Sequence, residues 1–416
     1  MGRTSAWRGV PSQGSAPGIG ETRMNGGDPR SVYVHAPFCA RRCLYCDFAV
    51  TVDSDPGATR WLDALEAEWA WLERTKASTP EGPLRTLYVG GGTPSLLGPT
   101  AMDGLVGVLG AELMGGAELE WTAEANPESL TRETAEAWRG AGVNRLSLGA
   151  QTFHDASLRW MGRMHGPEGP GRAVEVARAA GFDSISLDLI FALPHRLGRS
   201  LDDDLDRLFE IAPPHVSIYG LTVEEGTPLG RSVREGREVP ADEEQYADEF
   251  LRVVERLRGE GYLQYEVSNF ARPGFESSHN QAYWIGDAYV GLGNGAHSFT
   301  DGVRRWNIRD WAEYSTAVCS GESPVGGEER IGPSEGRLER IWLSLRTSDG
   351  LATGDLSAGG IELATAWVHQ GRAEMGEGML RLNPQGWLLL DRLAVELASV
   401  EEESASAAPS VPSDIP

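Results

Sequence analysis

Short runs of almost continuous apolar residues alternate along this chain with longer segments of helical periodicity. Six strand candidates are 31–36 (SVYVHA), 84–90 (LRTLYVG), 119–125 (LEWTAEA), 145–150 (RLSLGA), 184–190 (SISLDLI) and 215–221 (HVSIYGL). Between them Trp61, Leu62, Leu65, Trp69 and Leu72 fall at helical spacing, as do Leu201, Leu205 and Leu208. Apolar strands separated by amphipathic helices predict a parallel sheet covered by helices, an α/β fold. Repetition of the strand–helix unit six times favours a barrel, or part of one, over a flat doubly wound sheet.

After the sixth strand the pattern changes. Residues 240–262 read as a helix on Tyr246, Phe250, Val253, Val254 and Leu257, and a further helix falls near 308–320. Between them a loop carries His279-Asn280-Gln281-Ala282-Tyr283-Trp284. Arg337–Leu345 and Leu363–His369 are helix candidates, Gly378–Gly386 reads as a hairpin, and Trp387–Ala398 as a last helix. Helices followed by a small wing resemble a winged-helix module. The expected organisation is therefore a disordered leader (1–30), a barrel (31–235), a region packed on it (236–330), a winged-helix-like module (331–400) and a disordered tail (401–416).

Composition narrows the function. The 416 residues carry a formal charge of −24, which disfavours nucleic-acid partners, and the module's would-be recognition segment, 361–371, lacks Lys and Arg. There is no run of 18 apolar residues, so no membrane span is expected. Four cysteines in so long a chain argue against a disulfide framework and for the cytoplasm. Lys76 is the only lysine and lies in a polar stretch, which argues against Schiff-base or Walker-loop chemistry. The leader lacks the apolar core of a secretory signal, and Met24 is an alternative start.

The chemistry gathers where parallel α/β folds place it, after the strands. Cys39, Cys43 and Cys46 follow the first, spaced C-x3-C-x2-C. Three thiolates fit a [4Fe–4S] cluster with one iron left open. A C-x-x-C redox pair leaves Cys39 unexplained, and structural zinc needs His35 as a fourth ligand turned back along its own strand. Gly90-Gly91-Gly92-Thr93 follows the second strand, and Glu124 ends the third. Gln151 follows the fourth, Asp188 lies in the fifth, Thr222 follows the sixth, and Arg163 comes soon after Gln151. Together they suit a ligand with an amine, a carboxylate and ribose hydroxyls.

CARRCLYC, GGGTPS, the Glu124 strand end, RLSLGAQTF, GRMHG and LDLIFALP together resemble the radical S-adenosylmethionine (SAM) superfamily. Within it the chain is similar to the oxygen-independent coproporphyrinogen III oxidase group, and inside that group to its heme-chaperone family. The resemblance implies a partial (β/α)6 TIM-like barrel with a C-terminal α+β region. It implies that Cys39, Cys43 and Cys46 bind the [4Fe–4S] cluster. It implies that Tyr33, Tyr45, Gly92, Thr93, Glu124, Gln151, Arg163 and Asp188 line the SAM site, with Thr222 or a neighbour beside them. Family members carry an HNxxYW motif associated with heme, so His279 is the implied heme ligand, with His297 as its competitor. Arg272, Arg304 or Arg305 would meet the propionates. The implied partners are heme, an electron donor and heme-accepting proteins such as respiratory enzymes. Members of this kind are not regarded as oxidising coproporphyrinogen, and Phe48 stands where the oxidase has a further cysteine. The alternatives are a true coproporphyrinogen III oxidase and a non-catalytic zinc-binding adaptor.

Overall fold

The computed structural model describes residues 27–77 and 79–407. The expected leader and tail, and Met24, lie outside these residues apart from 27–30 and 401–407. Six parallel strands run through the middle of one 12-stranded sheet. They are β1 (Ser31–Ala36), β2 (Thr86–Gly91), β3 (Glu120–Ala125), β4 (Arg145–Gln151), β5 (Ser184–Phe191) and β6 (His215–Gly220). Each begins and ends within two residues of its apolar run in the sequence. They lie side by side in chain order.

Helices α1 (Thr59–Thr75), α2 (Ala101–Leu109), α3 (Arg132–Ala141), α4 (Gly169–Ala179) and α5 (Leu201–Ile211) fall between the strands. The pleat divides each strand into two sets of residues. One set (Val32, Val34, Leu87, Val89, Leu146, Leu148 and their equivalents) joins the buried core that also includes Trp61 and Leu65 of α1. The alternate set is polar or aromatic: Tyr33, Tyr88, Glu124, Ser147, Asp188 and Tyr219 border a single cavity of about 1100 Å³. Residues of all six strands line it.

The sheet continues past both edges of the parallel set. Beyond β6, after helix α6 (Glu243–Gly259), come β7 (Leu263–Glu266) and β8 (Asn269–Ala271), both antiparallel to their neighbours. Beyond β1, following the short helix α7 (Ser278–Trp284), lie β9 (Tyr289–Leu292), β10 (His297–Thr300), β11 (Val303–Asn307) and β12 (Val325–Arg330), with α8 (Trp311–Cys319) between the last two. The apolar pattern had not marked these strands, because they are short, glycine-bearing and charged. The HNxxYW residues form a helix instead of the expected loop. The Ser277 side chain caps it at Asn280 N–H, and Glu120 of β3 accepts from the Ser278 and His279 N–H groups, so the orphan donors of its first turn are satisfied.

The C-terminal module packs α9 (Pro333–Leu345), α10 (Ala358–His369) and α11 (Leu390–Ala407) with a small sheet of β13 (Leu351–Ala352), β14 (Ala373–Gly376) and β15 (Met379–Leu382). The last helix runs past Ala398, where the pattern stops, because Glu401 is buried and accepts hydrogen bonds from the Ser357 N–H and hydroxyl. Arg346 ties this module to the sheet. It pairs with the fully buried Glu266 at 2.9 Å and stacks over Trp284 at 4.1 Å and Trp342 at 5.0 Å. Among the described residues no helix is long and apolar enough to cross a membrane.

Candidate functional site

The cysteine loop is anchored before any metal is considered. Phe38–Cys39 pairs in parallel with Thr51–Val52, which closes the loop at its base. Leu44 N–H donates to Met161 O at 3.1 Å, and Leu44 O accepts from Leu229 N–H at 2.9 Å. Cys39, Cys43 and Cys46 are unpaired thiols, each half-buried at the cavity wall. Thr93 Oγ1 donates towards Cys39 Sγ at 3.5 Å and Arg163 Nη1 towards Cys43 Sγ at 3.8 Å. Burial pushes the Cys39 thiol up to about 11, and raises that of Cys46, so metal bonds would be needed to keep them as thiolates. Among the described residues no three His, Cys, Asp or Glu side chains stand close enough to share one metal ion. Three soft thiols gathered on one loop at the cavity wall are the donor type that an iron–sulfur cluster takes.

The glycine run explains how β2 approaches this loop. Gly91 has φ +107°, and a Cβ there would stand 2.2 Å from the His35 imidazole. At Gly92 a Cβ would be 2.6 Å from Ala36 O and 2.8 Å from Phe38 O, where Gly92 N–H and Thr93 N–H instead donate to those two carbonyls. The run therefore splices β2 onto the strand entering the cysteine loop. His35, the possible fourth zinc ligand, is buried with both ring nitrogens engaged, by Tyr33 OH at 3.0 Å and Ala49 O at 3.0 Å.

Facing the thiols are the polar strand ends. Glu124 accepts from Tyr88 OH at 2.8 Å and Gly91 N–H at 2.9 Å, and burial pushes its carboxyl up to about 7. Arg163 Nη2 donates to Asn126 Oδ1 at 2.7 Å and Gly149 O at 2.6 Å, leaving Nη1 towards the cysteines. The Asp188 carboxylate receives Ser147 and Ser186 hydroxyls at 2.9–3.0 Å, with its pKa raised by burial. Gln151 reaches the cavity from a left-handed backbone, φ +67°, at a register shift in the pairing of β4 with β5. Tyr33, Tyr45, Gly92, Thr93 and Thr222 border the same cavity. The fold thus brings together the three cysteines and all eight residues implied for SAM. Tyr88, Ser147 and Tyr219 also border it. Strand alternation through the polar positions of β2, β4 and β6 was the sequence signal for them.

His279 is not at the cavity surface. It is 1% exposed behind Tyr88, ring centroids 5.1 Å apart, and both nitrogens are occupied, by Thr86 Oγ1 at 2.7 Å and Tyr283 OH at 2.9 Å. Burial holds its pKa at about 3. His297 does border the cavity and is exposed. Of the arginines expected to meet propionates, Arg272 lies over Tyr262, Arg304 is paired with Glu329 and Glu339, and Arg305 is half-buried on the other side of β11 from Arg304. Arg41 and Arg309 border the cavity instead.

The Radical SAM superfamily model matches residues 33–208, which include the thiol trio, the buried carboxylates and Arg163. The heme chaperone HemW of Mycobacterium tuberculosis is 37% identical over 368 residues, 88% of this chain and 94% of that protein. HemW of Bacillus subtilis is 35% identical over 324 residues, 78% of this chain and 85% of its own. The chain belongs to the HemW family. Coproporphyrinogen III oxidase (HemN) of Escherichia coli, a radical SAM enzyme, shares the fold with a TM-score of 0.75, at 23% identity and over 89% of this chain and 90% of its own.

Proposed function

We propose that this protein is a cytoplasmic heme chaperone. It carries a [4Fe–4S] cluster on Cys39, Cys43 and Cys46, binds SAM against it, binds heme, and passes the heme to acceptor proteins such as respiratory enzymes. The observation that carries this reading is the convergence of the three thiols and the SAM-type polar groups on one cavity, in a chain of the HemW family. When bound and reduced by a donor, the cluster supplies an electron at its open iron. The chain's own residues do the rest. Glu124, half-neutralised by burial when alone, gains a counter-charge from an ammonium group. Arg163, already aimed by Asn126 and Gly149, donates to a carboxylate. Asp188, oriented by two serines, and Gln151 take hydroxyls.

Anaerobic reconstitution with iron and sulfide, followed by heme loading and incubation with an apo-heme acceptor, tests this. Heme transfer that depends on this protein, with no protoporphyrinogen formed from coproporphyrinogen, SAM and reductant, is expected. Protoporphyrinogen formation at enzymatic rates would instead make the chain a coproporphyrinogen oxidase.

A further inference from the structure

We propose that the heme iron is ligated by the imidazole of His297 at the cavity mouth, and not by His279; this rests on the heme-chaperone reading and names the iron ligand within it. Two histidines border the cavity, His35 and His297. The former is buried with both nitrogens bonded, and His279 is likewise saturated behind Tyr88. Freeing either would leave buried hydroxyls or a carbonyl without a partner, at about 1–3 kcal/mol for each group. His297 opens β10, is exposed, and its ring nitrogens make no hydrogen bond among the described residues. A neutral imidazole with a free lone pair, facing a cavity, is what ferric or ferrous iron needs.

The surroundings suit a flat, apolar macrocycle bearing two carboxylates. Trp306 stands directly across from His297 on β11, ring centroids 6.0 Å apart and planes 31° apart, so it restricts rotation of the imidazole. Trp306 is in turn seated on Gly327, where a Cβ would come within 2.4 Å of the indole. On the cavity rim Phe48 is 62% exposed and Met164 54% exposed, large apolar side chains left in water unless something covers them. Arg41 and Arg309 lie on the same rim: Arg309 is braced by Asp47, and Arg41 has no ion pair among the described residues. The cavity, at about 1100 Å³, is also larger than the roughly 300–1,000 Å³ that holds one small ligand.

The test is a hemin titration of the full-length, anaerobically reconstituted holoprotein, read by Soret absorbance and EPR. The wild type is expected to show a nitrogen-ligated heme. In His297→Ala that signature should be lost and Kd should rise about tenfold or more, while added imidazole restores the spectrum and the cluster's EPR response to SAM is unchanged. His297→Met should replace the nitrogen signature with that of a thioether ligand. Wild-type spectrum and affinity in His297→Ala would overturn the ligand assignment and leave the chaperone reading standing. A wild type that binds no hemin would overturn both.

Discussion

Replacing His279 separates a structural role from a ligating one. His279→Ala removes the partner of the Thr86 hydroxyl, which is 2% exposed. That loss costs about 2 kcal/mol. The Tyr283 hydroxyl loses its partner as well, at about 1 kcal/mol. Lost stacking on Tyr88 adds about 1 kcal/mol, for a total near 4 kcal/mol. Urea unfolding of the cluster-free protein, followed by tryptophan fluorescence, reads this as a lower midpoint at unchanged slope. Under native conditions the same variant should keep the nitrogen-ligated heme spectrum of the wild type. Destabilisation below about 1 kcal/mol, combined with loss of that spectrum, would refute the reasoning and make His279 an iron ligand.

Three further outcomes follow from the geometry. Gly92→Ala forces a Cβ against two backbone carbonyls and displaces the Thr93 contact to Cys39, so iron bound after reconstitution should fall well below three-quarters of the wild-type content; full iron content would contradict this. Arg163→Met removes the donor aimed by Asn126 and Gly149 and should weaken SAM binding about tenfold or more, measured by calorimetry on the reconstituted protein. Stability should depend on pH with two opposed contributions, measured as Tm across a buffer series. Burial holds His279 at about 3, against 6.5 unfolded, and lowers His215 as well. The unfolded chain therefore binds protons the folded one refuses, and this stability is complete above pH 6.5 and lost as pH falls below it. Glu68 is pushed up to about 7, against 4.5 unfolded, so it contributes the reverse, a loss of stability as pH rises between those values. Glu124, likewise pushed up to about 7, acts in the same sense, so Glu68→Gln should reduce that second component without abolishing it and leave the first.

Much of the scaffold is legible in the chain because the information is local. Apolar runs such as SVYVHA and SISLDLI mark strands through their own alternation and burial, and the real strands match them closely. Cys39, Cys43 and Cys46 lie within eight residues, so their joint chemistry needs no fold to be recognised. The polar residues that follow each strand could be listed from the sequence, since parallel α/β topology sends all six strand ends to one side. β9 to β12 escaped notice for the converse reason. A strand such as VRRWN, or VGGEER, carries no apolar alternation and is stabilised by pairing with its neighbours.

What the linear order determined by itself was the class of fold, the thiol trio and the polar groups opposite it. Only the tertiary structure decided which histidine is free. His279 and Thr86 are 193 positions apart, and no local pattern foretells that β2 would supply a buried hydroxyl to one ring nitrogen while Tyr283 closes off the other. Nor does GLGNGAHSF reveal that His297 would stand exposed beside Trp306 at the rim. A residue's type and spacing state what its side chain is able to do. Whether a lone pair remains available depends on partners brought in from distant parts of the chain by the packing of the core.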